Sequence, residues 1–416
     1  MSNYIVGIDI GASKVCGVVG ELDGIGKLQV LGITTSKCKG IKKGLLEDVE
    51  STSKAISETV KQLENIVGTT IEDAYISIPV SLCEIVEERE VLTLSSQDRE
   101  IKREDIDSVI NVMKLEVEAS RGMEVVAINP LEYSINEVGN INNPIGLLGR
   151  TLGVKAQVLV ASKEIVNNYR RAMNEAKVKV KSIVVDSLGV SKDMLKSEEL
   201  KEGVALIDIG AETSDISIFK NNKLIYGSSI PLGGETITND ISICLKICHE
   251  DAESLKIKSG RLFKDDISVD YKLNIYSSEN GELLEVDYNT LVEIVAERVK
   301  EILALIKRNL VKAGYYNEIS SIVICGGGIS LYRSATDMVS SILDKPCRIG
   351  IPSYVGAANP IYTTATGIIK ELSLNLKVIE NVEENNKLRN LNNKKETKNE
   401  KGTFSSKIKS FLSDFF

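Results

Sequence analysis

A nearly all-apolar run ending in Asp–x–Gly, then a short turn and a second β-rich run, occurs twice in this chain, about two hundred residues apart. The first copy is YIVGIDIGASKVCGVVGEL, from Tyr4 to Leu22, and the second is GVALIDIGAETSDISIF, from Gly203 to Phe219. Runs this apolar suit central strands covered on both faces. A duplicated unit of this kind predicts two similar halves with a cleft between them.

The turns carry chemistry. Glycine lets backbone N–H groups approach phosphate oxygens with no Cβ in the way. An Asp ending the preceding strand can hold hydrated Mg²⁺, which keeps several of its waters. Asp9, Gly11, Ser13 and Lys14 place acid, turn, hydroxyl and cation in one loop, and Asp208, Gly210, Glu212 and Thr213 supply the matching one. A strand follows each turn, whereas P-loop and Rossmann sites continue into a helix, so neither of those fits. A third element, SIVICGGGIS from Ser321 to Ser330, runs from strand through Gly326 and Gly327 to a predicted helix N-terminus, where backbone can approach a nucleotide.

Composition narrows the function. A net charge of −8 argues against sequence-independent nucleic-acid binding, so no nucleic-acid partner is expected. No apolar stretch is long enough to span a bilayer. The start of the chain lacks a basic region followed by an apolar signal core, which predicts a cytoplasmic protein. The seven cysteines show no C-x-x-C spacing, and His249 is the only histidine, so buried thiols are expected and Ser-His or Cys-His catalysis is not.

Segment character predicts the organisation. The region from Glu84 to Ser162 reads as an α+β insertion, with a helix near Arg103–Ala119 between strand-like runs, and an amphipathic helix at Lys163–Ala176 follows. After the second copy, Pro231 to Gly314 reads as another subdomain. Its long helix is expected to begin with a capping box at Thr290 and Glu293 and to stop at Gly314, and a shorter helix, Asp251–Ser259, stops at Gly260. From about Leu374 to Gly402, Asn, Lys and Glu dominate, which predicts a flexible linker. In the final FSSKIKSFLSDFF, Phe404, Ile408, Phe411, Leu412, Phe415 and Phe416 fall within an arc of about 140° at helical spacing. Four of the six phenylalanines lie there. A helix of roughly 20 Å cannot cross a bilayer but can lie in its interface; docking on the protein's own body or a partner groove is the alternative.

The three-part phosphate pattern resembles the superfamily of actin, sugar kinases and large-chaperone ATPases. Three further features are similar to the FtsA family of bacterial cell-division proteins within it. They are the insertion after Ile78-Pro79-Val80, with Asn129-Pro130-Leu131-Glu132-Tyr133 and Asn143-Pro144-Ile145-Gly146-Leu147; the helix Asp251-Ala-Glu253-Ser-Leu-Lys256; and the linker with its amphipathic C-terminus. The resemblance implies an α/β, actin-like two-lobed ATPase fold of duplicated ribonuclease H-like domains, with an inserted α+β subdomain and a C-terminal amphipathic helix. The expected division is a first-lobe subdomain at 1–83 completed by about 356–373, the insertion at 84–162, and a second-lobe core at 163–230 completed by about 315–355. The outer subdomain follows at 231–314, the linker at 374–402 and the membrane helix at 403–416.

By the same resemblance, Gly11, Ser13, Lys14, Gly210, Glu212 and Thr213 would meet the phosphates of ATP, with Asp9 and Asp208 beside Mg²⁺. Glu253 and Lys256 would clasp the nucleoside, against the alternative of an ordinary exposed helix pair, and Gly326 and Gly327 would line the nucleotide. Related chains often carry Gly-Gly-Thr where this one has Ala211-Glu212-Thr213; Glu212 is expected to position water or metal, giving at most a slow ATPase. Arg298 matches a position used to bind the C-terminal peptide of FtsZ, the tubulin-like division protein; a solvated helix charge is its alternative. The implied role is a filament-forming adaptor at the division site on the cytoplasmic face of the membrane. It would tether FtsZ to membrane lipids and recruit later division proteins. A sugar kinase of the same fold and a pilus-assembly adaptor of the same branch are the competing readings.

Overall fold

The computed structural model describes residues 4–263 and 272–374. The linker expected beyond residue 374, and Phe404, Ile408, Phe411, Leu412, Phe415 and Phe416, lie outside the described residues.

The first repeat builds a five-stranded sheet in the order Lys179–Val185, Asp73–Ile78, Ile5–Ile10, Lys14–Leu22, Leu28–Lys37. Its central strand, Ile5–Ile10, runs antiparallel to Lys14–Leu22 and parallel to Asp73–Ile78. Helix α1, Val49–Val67, covers one face. Asp48 caps it by accepting the Ser51 N–H at 3.0 Å, and Gly68, at φ +68°, ends it. From Cys83 the chain leaves this sheet. It builds a second, antiparallel one from Cys83–Thr93, Glu124–Ile135, Val138–Ile141 and Thr151–Ala161. Helix α2, Arg103–Arg121, lays Ile106, Val109, Met113 and Val117 on it, and these form a core of their own with Leu152, Val154 and Val158. Helix α3 is Lys163–Glu175. It buries Tyr169, Ala172 and Met173 in the first-lobe core, and Lys179–Val185 then pairs with Asp73–Ile78. Residues 163–185, expected in the second-lobe core, therefore complete the first lobe. The amphipathic pattern of α3 was legible, but which sheet its apolar stripe covers is decided by a strand pairing about a hundred residues away.

The second repeat builds the counterpart sheet, Lys223–Ile230, Ser214–Lys220, Val204–Ile209, Ser321–Cys325, Cys347–Ile349. Val204–Ile209 is again central, antiparallel to the strand after its turn and parallel to the strand on its other side. The linking helices are α4, Asp186–Met194, and α5, Ser197–Glu202; beyond the sheet come α6, Gly234–Leu245, and α7, His249–Ser259. Helix α8, Tyr288–Lys312, buries Leu291, Val295, Val299, Ile302, Ile306 and Leu310 in the second-lobe core, and α9, Ala335–Leu343, packs beside it. The cap of α8 is Asp287, which accepts the Thr290 N–H at 2.8 Å, so the expected Thr290 box gives way to an acid three residues earlier.

A shared apolar seam joins the lobes, with Ile78, Val80 and Val185 from the first meeting Leu206, Phe219 and Val323 from the second. The chain passes from the first lobe to the second through α4. It returns through a helical stretch at 363–374, whose Ile368 and Ile369 lie against Gly7 of the first sheet. These two passages touch at bare backbone. A Cβ on Gly189 would sit 2.9 Å from the Gly367 carbonyl carbon, and one on Gly367 2.6 Å from the Val190 nitrogen. Cys16, Cys38 and Cys325 are buried as expected, whereas Cys244 is exposed.

Candidate functional site

The two Asp–x–Gly loops face each other at the seam and close in the same way. The Gly11 N–H donates to the Lys14 carbonyl at 3.0 Å, and the Gly210 N–H donates to the Thr213 carbonyl at 2.9 Å. Among the described residues, the amides of Ala12, Ser13, Ala211 and Glu212 take no partner, so each loop carries free donors. The Lys14 ammonium stands over the Tyr362 ring at 5.9 Å, beside the first-lobe cluster against which that ring packs.

Beneath the loops lie four half-buried carboxylates where sequence reasoning had found two. Asp9 accepts the Ser77 hydroxyl at 2.7 Å; burial pushes its carboxyl up, against that bond and Lys14. Asp208 is pushed up to about 7 by burial and by repulsion from Asp215 and Asp9. Asp215 stands opposite Asp208 across the strand pair and accepts the Thr213 and Ser81 hydroxyls at 2.9 and 3.1 Å; burial raises it too. Asp186 opens α4 and accepts the Val80 N–H at 3.0 Å, and burial and Asp215 hold it well above the usual carboxylate range. Asp186, Asp208, Asp215 and Thr364 line one small cavity, together with Ser187, whose buried hydroxyl has no partner in the chain. Four half-buried carboxylates that repel one another make a site suited to a cation. Among the described residues, no cluster of three His, Cys, Asp or Glu side chains is arranged to ligate a metal directly. The set thus fits an ion held through its own waters. Asp215 could have been noticed as a second acid in register with Asp208, but Asp186 ends an ordinary-looking strand and no local pattern marks it.

The glycines complete the cradle. Gly326 adopts φ +81°, and a Cβ there would fall 2.2 Å from an Asp208 carboxylate oxygen, so only glycine lets this turn pass under the second loop. The Gly328 N–H donates to the Ile209 carbonyl at 2.7 Å, while α6 opens on Gly234, whose N–H donates to the Gly210 carbonyl at 2.9 Å. Gly327 lies beside them, near Ile361. On α7, Lys256 is 9 % exposed. Its ammonium donates to the Gly234 carbonyl at 3.2 Å and the Thr238 hydroxyl at 2.8 Å, and it pairs with Glu253. An exposed helix pair is excluded for Lys256: it fixes α7 against the start of α6.

Two expected residues are engaged in ways the sequence did not reveal. The Glu212 carboxylate accepts the backbone N–H of Lys43, from the other lobe, at 2.6 Å. Arg298 forks onto both carboxylate oxygens of Asp240 and also reaches Glu301, so it is a paired residue bridging α8 to α6 rather than a solvated charge.

Two duplicated sheets, facing Asp–Gly loops and a shared acidic floor define an actin-like two-lobed protein of the ATPase fold. Solved structures of that class bear this out at the level of fold. The PilM–PilN type IV pilus biogenesis complex aligns with TM-score 0.58 and 14% identity, covering 89% of this chain and 98% of that one. MreB5 of Spiroplasma citri bound to ADP aligns with TM-score 0.51 and 14% identity, over 90% and 98%. Residues 205–367 match the family model described as cell division protein FtsA, and 82–160 match the SHS2 domain inserted in FtsA. The cell division protein FtsA of Borreliella burgdorferi is 30% identical over 421 residues, 100% of this chain and 99% of that protein. That of Pseudomonas aeruginosa is 28% identical over 88% of each. The chain belongs to the FtsA family of cell division proteins, which sets aside the sugar-kinase and pilus-adaptor readings.

Proposed function

We propose that this protein binds ATP with Mg²⁺ between its lobes, polymerises at the cytoplasmic face of the cell membrane, and anchors FtsZ there while recruiting later division proteins. The observation that carries the reading is the pair of facing loops with free amides over four half-buried carboxylates, each with its carboxyl raised. Gly11, Ser13, Lys14, Gly210 and Thr213 hold phosphates, and Gly326 and Gly327 line the nucleotide. Asp9 and Asp208, with Asp186 and Asp215, hold the hydrated metal, which would neutralise phosphate charge. Lys256 with Glu253 keeps α7 set for the nucleoside. The insertion, taken as 84–162, serves subunit and partner contacts.

The FtsZ C-terminal peptide would dock on the outer subdomain, 231–314, beside Arg298. Asp240 holds that guanidinium in a fixed orientation, and a peptide carboxylate would dock by displacing the more exposed Glu301 from it. Among the described residues no helix is long and apolar enough to cross a membrane, so attachment falls to the residue 404–416 stripe. A single short helix binds weakly, and a filament multiplies it through effective concentration.

One reconstitution tests this function. The full chain, liposomes, Mg²⁺-ATP and a labelled FtsZ C-terminal peptide are floated together. Peptide should rise with the vesicles, a truncation at Gly402 should leave both proteins behind, and Arg298→Glu should float without peptide. Equal flotation by the truncation, or peptide recruitment by Arg298→Glu, refutes the anchor or the docking site respectively.

A further inference from the structure

The hairpin over the second phosphate loop has an unusual partner. Strands Ile41–Lys42 and Leu45–Leu46 are joined by a two-residue turn, with Lys43 at φ +49° and Gly44 at φ +80°. Both central residues are left-handed, as a tight hairpin turn with the strands' own twist requires. The hairpin's base is anchored to the first lobe, because the Glu47 and Asp48 N–H groups both donate to the Gly40 carbonyl and Asp48 caps α1. Its tip crosses to the second lobe. There the Lys43 N–H meets the Glu212 carboxylate, and a Cβ on Gly44 would lie in ordinary contact with the Thr213 methyl, at 3.9 Å. Glu212 therefore does two things at once. Its free amide belongs to the loop that faces the cleft, and its carboxylate shuts the hairpin over that loop through a short charge-assisted bond.

We propose that Glu212 is a specificity-determining residue: its carboxylate, clasping the Lys43 amide, makes the closed cleft favour a nucleoside diphosphate and makes a terminal phosphate compete with the clasp. The proposal rests on the reading that the two loops hold phosphates. A diphosphate leaves the carboxylate on Lys43 and the hairpin shut. A further phosphate at the same loop sets like charge against Glu212. At about 4 Å in a partly screened site, such a pair weighs about tenfold or more in affinity. The carboxylate can relieve this only by letting go of Lys43, so a triphosphate would loosen the hairpin that bridges the lobes over this loop.

The test uses the full chain and two variants, Glu212→Gln, which keeps a hydrogen-bond acceptor without charge, and Glu212→Ala, which removes both. ADP and a non-hydrolysable ATP analogue are titrated against each, and hydrogen exchange of the 40–48 segment is followed in the same samples. In the parent, the triphosphate and not ADP should speed exchange at the hairpin. Glu212→Gln should bind the triphosphate about tenfold tighter, shift ADP by less than about twofold, and keep the hairpin protected without ligand. Glu212→Ala should show the same gain and fast hairpin exchange in every state. An unchanged ratio of ATP-analogue to ADP affinity in Glu212→Gln overturns the proposal, as does hairpin exchange indifferent to Glu212→Ala. Should no protein bind either nucleotide while hairpin exchange still depends on Glu212, the nucleotide reading itself falls and the specificity role with it, a pattern distinct from the first two.

Discussion

Asp208 concentrates the electrostatic tension of the site. Its carboxyl rises from the ordinary 3.8 to about 7, with burial the larger cause and Asp215 and Asp9 the next. Below about pH 4 it is protonated whether the chain is folded or not, and it costs nothing. As pH climbs toward 7 the unfolded chain ionises first, so ligand-free stability falls; above 7 the loss levels off at up to about 4 kcal/mol. Asp208→Asn should therefore melt higher than the parent at pH 8, by a few degrees, keep part of that advantage at pH 5, and lose it below about pH 4. The same variant should lose Mg²⁺-ATP affinity by at least about tenfold, since one carboxylate of the set is gone. Melting curves against pH, with and without Mg²⁺-nucleotide, check both signs. Asp9 and Asp208 were legible because each follows a strand and precedes a glycine turn. Asp186 was not, because its place in the site comes from where α4 begins, a tertiary fact with no local signature.

At the level of elements, local chemistry was read well where it was loud. The α7 and α8 stops at Gly260 and Gly314 adopt φ +62° and +81°, the left-handed conformation expected of them. Helix α1 drew no attention, and its composition explains why. Thr52, Ser53 and Thr59 occupy buried positions between Ala55, Ile56, Val60 and Leu63, so the apolar stripe is broken by hydroxyls. Those hydroxyls turn inward onto backbone: Thr59 donates to the Ala55 carbonyl at 2.9 Å and Thr52 to Asp48 at 2.7 Å. The displaced start of α8 gives a direct test. Asp287 accepts both the Thr290 N–H and its hydroxyl, at 2.8 and 2.7 Å. Asp287→Ala should cost about 1 kcal/mol, visible as a lower denaturant midpoint with unchanged slope, whereas Glu293→Ala at the box position first expected should cost less.

For the whole molecule, duplication in the sequence was enough to give two lobes and a cleft, yet it left open how they are joined. Beside the apolar seam, the two passages between lobes meet at backbone distance at Gly189 and Gly367. Neither residue stands out in the sequence, since their meaning depends on a contact between segments nearly two hundred residues apart. Gly367→Ala would place a methyl group 2.6 Å from the Val190 nitrogen and must spread the crossing. It should cost about 1–3 kcal/mol and reduce the change in radius of gyration on nucleotide binding measured by X-ray scattering. Gly139→Ala, in the insertion with nothing within 4 Å, should do neither.

A contact without side chains has little to interlock, so it can turn where it cannot slide. Such a crossing would act as a rivet between two plates: its centre would stay still, and any small swing would grow with distance from it. The rims, the insertion on one plate and on the other the hairpin of strands Lys272–Tyr276 and Leu283–Asp287, would travel furthest, and a neighbouring subunit gripping both would feel in its own footing which nucleotide lies between the plates.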